Sequence, residues 1–311
     1  MNNEELARAI NECIGERSSI EIYLGLKNQQ LRKGNFIENT QQQIKNLFIS
    51  ELQNKIINVE NSIVNFSSAD ERGNVIYQYD LELTEKMHIF ELVNNAENNI
   101  ERFSFQVDGI NNIAYFLIII GVADHQVTIY KQLASVNVYK KNSGFFIRET
   151  DNQFTQIEDD FLRIVPGVDL IYINNELYIK NLDVIEKAFD IHNVIITSAR
   201  TQIDMISQYN LVENIDCLSS ELSDISFARK LSKISQTSPV LGHIENQNII
   251  SFTQNHPILR KVFKYSDDGT KIKLTSKKSK RLFIKLLNDD YLTSNLTNIY
   301  YDSLAKDPVE Q

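Results

Sequence analysis

The chain has 311 residues, 42% of them hydrophobic and 23% charged, and its 32 Lys and Arg are outweighed by 41 Asp and Glu to a net charge of −9. This describes a folded globular protein with room for one large domain or two ordinary ones. It excludes nucleic-acid binding over the whole surface, so any such contact must be confined to a patch or a dimer groove. Four prolines and ten glycines leave no flexible linker of the usual composition. Cys13 and Cys217 lie far apart without CxxC spacing, which fits a reduced cytosolic protein. The N-terminus lacks the basic start and apolar run of a signal peptide. The longest apolar stretch, Ile113 to Ala123, has 11 residues and is too short to span a bilayer. A soluble cytoplasmic protein is expected, with any membrane role coming through a partner.

In chain order, Leu6, Ala9, Ile10 and Cys13 mark one side of a helix over 3–14, and Ser19–Leu26 reads as a strand. Thr40 is the expected cap of a helix over Gln41–Ile56, where Ile44, Leu47, Phe48, Leu52 and Ile56 keep the 3.6-residue period. Short strands follow at Ile57–Phe66 and Val75–Tyr79, divided by a turn over 67–74, and then a helix over Glu82–Asn94. From Ile100 to Phe154 the pattern is β-rich. Ala114–Val122 is continuously apolar, Asp124-His125 turns it into Val127–Lys131, and Gly144–Arg148 follows. Further strands are expected at Phe161–Val165, Val168–Ile173 and Glu176–Lys180, the last two joined by an Asn174-Asn175 hairpin turn. Helical spacing then covers 182–189, 192–209, 211–222, 224–235 and 244–255. The prediction is an α+β fold with an antiparallel meander in the first half and centre, a helical segment after about 181, and a basic helix near the C-terminus. A soft boundary near 142–151 separates a mixed N-terminal region, 1–145, from 146–311; one continuous domain is the alternative.

Positive charge is concentrated in one place. Between His256 and Lys285 there are ten Lys or Arg and two acids, Asp267 and Asp268, so this window carries +8 and the remainder −17. The cations are Arg260, Lys261, Lys264, Lys271, Lys273, Lys277, Lys278, Lys280, Arg281 and Lys285. On a helix beginning after Ser276, the expected N-cap, Lys277, Lys278, Arg281 and Lys285 share an arc of about 100°. Leu282, Phe283, Leu286 and Leu287 face the other way. Lysines in the first turns oppose the helix dipole and suit a bound phosphate; a solvated helix face is the plainer reading.

Catalytic motifs are absent: no GxxxxGK[ST], GxGxxG or GxSxG, and five scattered histidines without metal-ligand spacing. Asp169, Glu176 and Lys180 faintly follow the carboxylate–carboxylate–lysine layout of metal-dependent nucleases. Glu176 and Lys180 would however stand about 13 Å apart along one strand, too far to share a metal-bound water. The acid runs Glu158-Asp159-Asp160 and Asp289-Asp290 read as caps or loop charges, and Cys217 as a small buried hydrophobe. No catalytic residue, cofactor or metal is expected.

The run Phe161–Phe189, FLRIVPGVDLIYINNELYIKNLDVIEKAF, and the C-terminal run Lys271–Lys306, beginning KIKLTSKKSKRLFIKLLNDDYL, resemble the KwaB proteins of the Kiwa anti-phage system. The helical stretch between them fits in length and order, while the first 100 residues add little. The resemblance implies a DNA-binding member of a two-component bacterial defence system, acting at the inner face of the membrane with a small multi-spanning protein, KwaA, to hinder phage replication and transcription. It also implies a homodimer. No family motif fixes a binding residue, so the ten cations rest on charge alone. The leading expectation is therefore non-specific binding of double-stranded DNA through phosphate contacts. A metal-dependent nuclease using Asp169 and Glu176, and a module whose basic helix binds an acidic protein or anionic lipid, are the alternatives.

Overall fold

The structure is a computed structural model that describes residues 2–67, 74–94, 99–122, 125–134, 137–139, 147–150, 153–157, 160–293 and 300–302. Most of the expected turn over 67–74, Asp124, residues 144–146, Glu158-Asp159 and much of the soft division at 142–151 lie outside the described residues. The chain forms two compact units, one of residues 1–63, 74–79 and 85–189, the other of 64–73, 80–84 and 190–311.

Unit one begins with helix α1 (Asn3–Cys13), started by a reciprocal capping box between Asn2 and Glu5. Strands β1 (Ser19–Leu26) and β2 (Leu31–Lys33) follow. Helix α2 (Glu38–Leu52) starts earlier than expected, after Ile37, so Thr40 lies inside it and caps nothing. It runs into a π-helical turn, Gln53–Ile57, that seats Ile56 in the core. Next come β3 (Ser62–Asn65), β4 (Val75–Gln78), a 3-10 turn Glu85–His88 and α3 (Ile89–Asn94). The remaining elements are β5 (Ile113–Val122), β6 (His125–Gln132), β7 (Val138–Tyr139), β8 (Ile147–Thr150), β9 (Gln153–Gln156), β10 (Phe161–Leu162), β11 (Leu170–Ile173), β12 (Glu176–Ile179) and α4 (Leu182–Ala188).

Eight strands form one sheet in the order β2-β1-β5-β6-β11-β12-β4-β3, antiparallel at each register described. The β5–β6 and β11–β12 pairs are hairpins; β1 beside β5, and β12 beside β4, join segments distant in sequence. Alternation sends Ile20, Ile22, Leu24, Ile118, Ile120 and Ile129 to one face, where they form a single aliphatic core with Leu6, Ile10, Phe48 and Leu52 of α1 and α2. The other face is aromatic. Phe90 of α3 stacks on Tyr172 at 5.4 Å and on Phe189 at 5.9 Å, and Phe189 meets Tyr130 edge-on at 5.1 Å. Burial on both faces explains why β5 is continuously apolar instead of alternating. Asn174 and Asn175 both take positive φ, 52° and 61°, as a two-residue hairpin turn requires.

Asp169, a carboxylate of the nuclease alternative, is buried at 4% exposure where β11 begins. It accepts hydrogen bonds from the Gln132 amide at 2.9 Å and the Asn181 side chain at 3.1 Å, and pairs with Lys131 at 3.1 Å. Glu176 stands at the other end of the same hairpin, paired across the strands with Ile173 and bonded by Gln78 and Tyr178. Lys180 donates to Asn61 at 2.9 Å. The three groups thus serve three separate structural bonds.

Unit two contains α5 (Ile191–Ser207), a 3-10 stretch Ile215–Glu221, α6 (Ile225–Leu231), α7 (Ile234–Thr237), α8 (Asn246–Asn255), a 3-10 turn Leu259–Lys261, the β13 (Lys264–Tyr265) and β14 (Ile272–Lys273) hairpin, α9 (Lys277–Leu287), and the β15 (Tyr291–Thr293) and β16 (Tyr300–Asp302) pair. Two left-handed residues, Asp190 and Asn210, make the expected breaks around α5. The buried Gln202 side chain ties α5 to Ser235 of α7 at 2.8 Å. Arg229, 2% exposed, lies with its guanidinium 5.1 Å from the Phe66 ring. The helix expected over 211–222 does not form: Val212 bridges Ile272 in parallel, and only Ile215–Glu221 coils.

Asp169→Ala is expected to lower unfolding stability by about 1–3 kcal/mol, since it leaves the Gln132 amide and the half-buried Lys131 ammonium without their carboxylate. A urea titration checks this; a change within error would mean that those bonds are dispensable.

Candidate nucleic-acid interface

All ten sequence-predicted cations fall in unit two. Helix α9 is built as its sequence dictates. Ser276 caps it, its hydroxyl accepting from the Ser279 amide at 3.1 Å while the Ser279 hydroxyl accepts from the Ser276 amide at 2.9 Å. Phe283, Leu286 and Leu287 are buried as expected. Ile284 is buried too, and Leu282 only half-buried, so the docked stripe is rotated slightly from the expected one. Helices α6 and α9 leave a groove of about 360 Å³ over Phe227 and Ile284, with Lys230, Arg281 and Lys285 among its lining.

The hairpin carries a second group. Lys264 pairs directly across from Lys273, and Tyr265 from Ile272. Lys271, two residues before Lys273, has the same facing as both. Like charges directly opposite cost stability, and the acids nearby offset this: Lys273 bonds Glu213 at 3.0 Å and approaches Asp267 at 3.9 Å. The Glu213 hydrogen bond holds the Lys273 ammonium above its ordinary pKa. At the tip, hydrogen bonds from Ser266 and Thr270 lower the Asp268 pKa to about 2, and Gly269 takes φ +69° to close the turn. Arg260 and Lys261 lie exposed on the short 3-10 turn, before which the buried His256 ring accepts the Ile258 and Leu259 amides at 3.3 and 3.4 Å.

The acids were not legible in the sequence. Ile272 donates to the Leu211 carbonyl and accepts from the Glu213 amide, both at 3.0 Å. The Asn214 carboxamide grips both backbone groups of Leu274, again at 3.0 Å. That pairing delivers Glu221 to Lys280 at 3.2 Å and Lys277 at 3.6 Å, and Asp224, the N-cap of α6, to Arg281. The Lys280 hydrogen bond holds the Glu221 carboxyl below its usual range. Lys280 keeps only 12% side-chain exposure, the least of the four ion-paired cations. Among the described residues, Arg260, Lys261, Lys264, Lys271 and Lys278 make no ion pair. The surface therefore divides into cations already matched to carboxylates and cations open to an outside anion. No local pattern could have announced this, because Glu213, Glu221 and Asp224 lie 56 to 60 residues away from their partners.

Cys217 donates weakly to the Leu274 carbonyl, and burial pushes its thiol pKa up, away from thiolate nucleophile chemistry. Among the described residues no three His, Cys, Asp or Glu converge as metal ligands, and no helix is long and apolar enough to cross a membrane.

Comparison with known proteins finds a family, Kiwa protein KwaB-like, that matches residues 110–297. The curated relative Kiwa protein KwaB of Escherichia coli O55:H7 (strain RM12579 / EPEC) is 28% identical, with the whole of both chains covered. No solved structure matches.

Ser276→Ala should cost about 1 kcal/mol by removing the hydroxyl that accepts from the Ser279 amide, while the Ser279 hydroxyl keeps its bond from the backbone amide of residue 276. Chemical denaturation measures it, and an unchanged midpoint would show that α9 is held by packing alone.

Proposed function

The chain belongs to the Kiwa KwaB-like family, and we propose that within anti-phage defence it binds double-stranded DNA without sequence preference through the basic surface of unit two. The observation that carries this reading is the density of cations. Ten lie within 30 residues of a chain whose net charge is −9, and five of them have no internal ion pair among the described residues. Phosphates need point charges on a convex or grooved surface and no base-reading side chains. Arg260, Lys261, Lys264, Lys271 and Lys278 make first contact. Lys273, Lys277, Lys280 and Arg281 are held in place by Glu213, Glu221 and Asp224, and Lys285 adds charge beside the α6–α9 groove.

The same reading includes a small multi-spanning membrane protein, KwaA, as partner and a second copy of the chain, with cytoplasmic placement and recruitment to the inner face of the membrane. Catalysis is not part of it: DNA is held, not cut. One observation favours a second reading, in which the basic surface takes an acidic protein: α9 already holds carboxylates of its own chain at three cations.

Duplex affinity across a salt series tests the proposal. Log K should fall with log salt at about −0.9 per phosphate neutralised. Lys278→Glu/Arg281→Glu/Lys285→Glu should bind more weakly with a shallower slope. Glu221→Gln/Asp224→Asn should bind a few-fold more tightly, because it removes two competing carboxylates. Unchanged binding by the charge-reversed variant moves DNA off α9, and no binding by the natural protein at low salt leaves the acidic-partner reading.

A further inference from the structure

Unit one holds a second, chemically different site: a pocket of about 330 Å³ on the aromatic face of the sheet. Alternation along β1 turns Ser19, Glu21 and Tyr23 away from the aliphatic core. Glu21 lies across from Ile119, and Gly121, across from Ser19, is also across from Gln126. Lys33 of β2 sits opposite Tyr23 and reaches Glu21 Oε1 at 2.7 Å, while the Tyr23 hydroxyl donates to Glu21 Oε2 at 2.6 Å. The Thr128 hydroxyl donates to Asn94 Oδ1 at 3.0 Å and so fixes the polar end of α3 over the sheet.

The hydrogen-bond inventory shows what the pocket can take. Glu21 has given both oxygens to neighbours, and although burial alone would raise its pKa, the Lys33 and Tyr23 hydrogen bonds and the Lys33 charge outweigh that and lower it. Lys33 keeps two further N–H donors, and Asn94 keeps its NH2 group. The Asn99 and Gln126 carboxamides make no hydrogen bond among the described residues and offer two acceptors and four more donors. Val93, Ile100 and Ile119 supply an apolar wall. Formal charge is balanced, Glu21 against Lys33, so an anion meets the carboxylate and a cation the ammonium.

We propose that this pocket binds an uncharged ring that carries adjacent hydrogen-bond donors and acceptors, the chemistry shared by nucleosides and hexoses. A carboxamide reads such an edge with one donated and one accepted bond, and the volume suits one ring system with its substituents. The pocket's lining residues all belong to unit one, and its ligand is uncharged where the basic surface takes an anion.

The test is ligand-observed NMR and calorimetry on the full chain with adenosine, cytidine, uridine, glucose and galactose, and with orotate and glucuronate as anionic counterparts. At least one neutral compound should bind, and the panel it comes from identifies the source. Its anionic counterpart should bind at least about tenfold more weakly, because its charge meets the Glu21 carboxylate. Asn99→Ala/Gln126→Ala, which cuts no internal hydrogen bond, should leave the melting temperature and duplex affinity unchanged while weakening the neutral ligand about tenfold or more. No binding by any neutral compound up to about 10 mM overturns the proposal, as does unchanged affinity in the double variant or equal affinity for the anions.

Discussion

The grip of the Asn214 carboxamide on the backbone of Leu274 is the contact from which the charged surface of unit two takes its form. One side chain satisfies a donor and an acceptor together, which an apolar replacement would leave unmet. Beside it the chain pairs in parallel with Ile272, and immediately after it the 3-10 stretch places Glu221 and then Asp224. Without this docking the window of ten cations would repel itself. With it, repulsion is reduced at α9 and at the hairpin while the outermost lysines stay open. Each ion pair contributes little alone at such exposure, so their effect is on where charge sits more than on stability.

Elements with a strong local signal were legible. β1, α1, the Asn174-Asn175 hairpin and the Ser276 cap are all decided by short-range chemistry, and the structure has each where periodicity and capping put it. The α+β segregation followed from the same signals. Failures have a common cause. Residues 211–222 carry helical spacing, yet a backbone partner 60 residues away takes the first part. Thr40 is a good cap residue that the chain passes over, because α2 begins earlier. The candidate interface was half visible: its cations are contiguous, whereas Glu213, Glu221 and Asp224 are brought in by tertiary pairing, and the strand order that sets β1 beside β5 leaves no trace in local sequence.

The two candidate sites draw on different physics. The basic surface works by many weak, solvent-screened attractions and tolerates imprecise geometry. The pocket on the sheet has no net charge and depends on directional bonds from groups fixed by strand register. Asp169 and Glu176 belong to neither; at opposite ends of one hairpin, each is engaged with its own neighbours. Membership of the Kiwa KwaB-like family sets this surface in the context of defence against phage.

The placement of Arg229 has a consequence for biosynthesis. Its buried guanidinium lies against Phe66, and the unit that contains both takes residues 64–73 and 80–84 from the early part of the chain and the rest from 190 onward. More than a hundred residues of unit one are therefore translated between the two halves of that packing. Phe66 must wait on the ribosome for its arginine, and unit two is completed only late in synthesis or after it. A fragment that begins at residue 190 would carry Arg229 without the Phe66 ring that packs on it. The two units are consequently inseparable by simple truncation, whatever each binds.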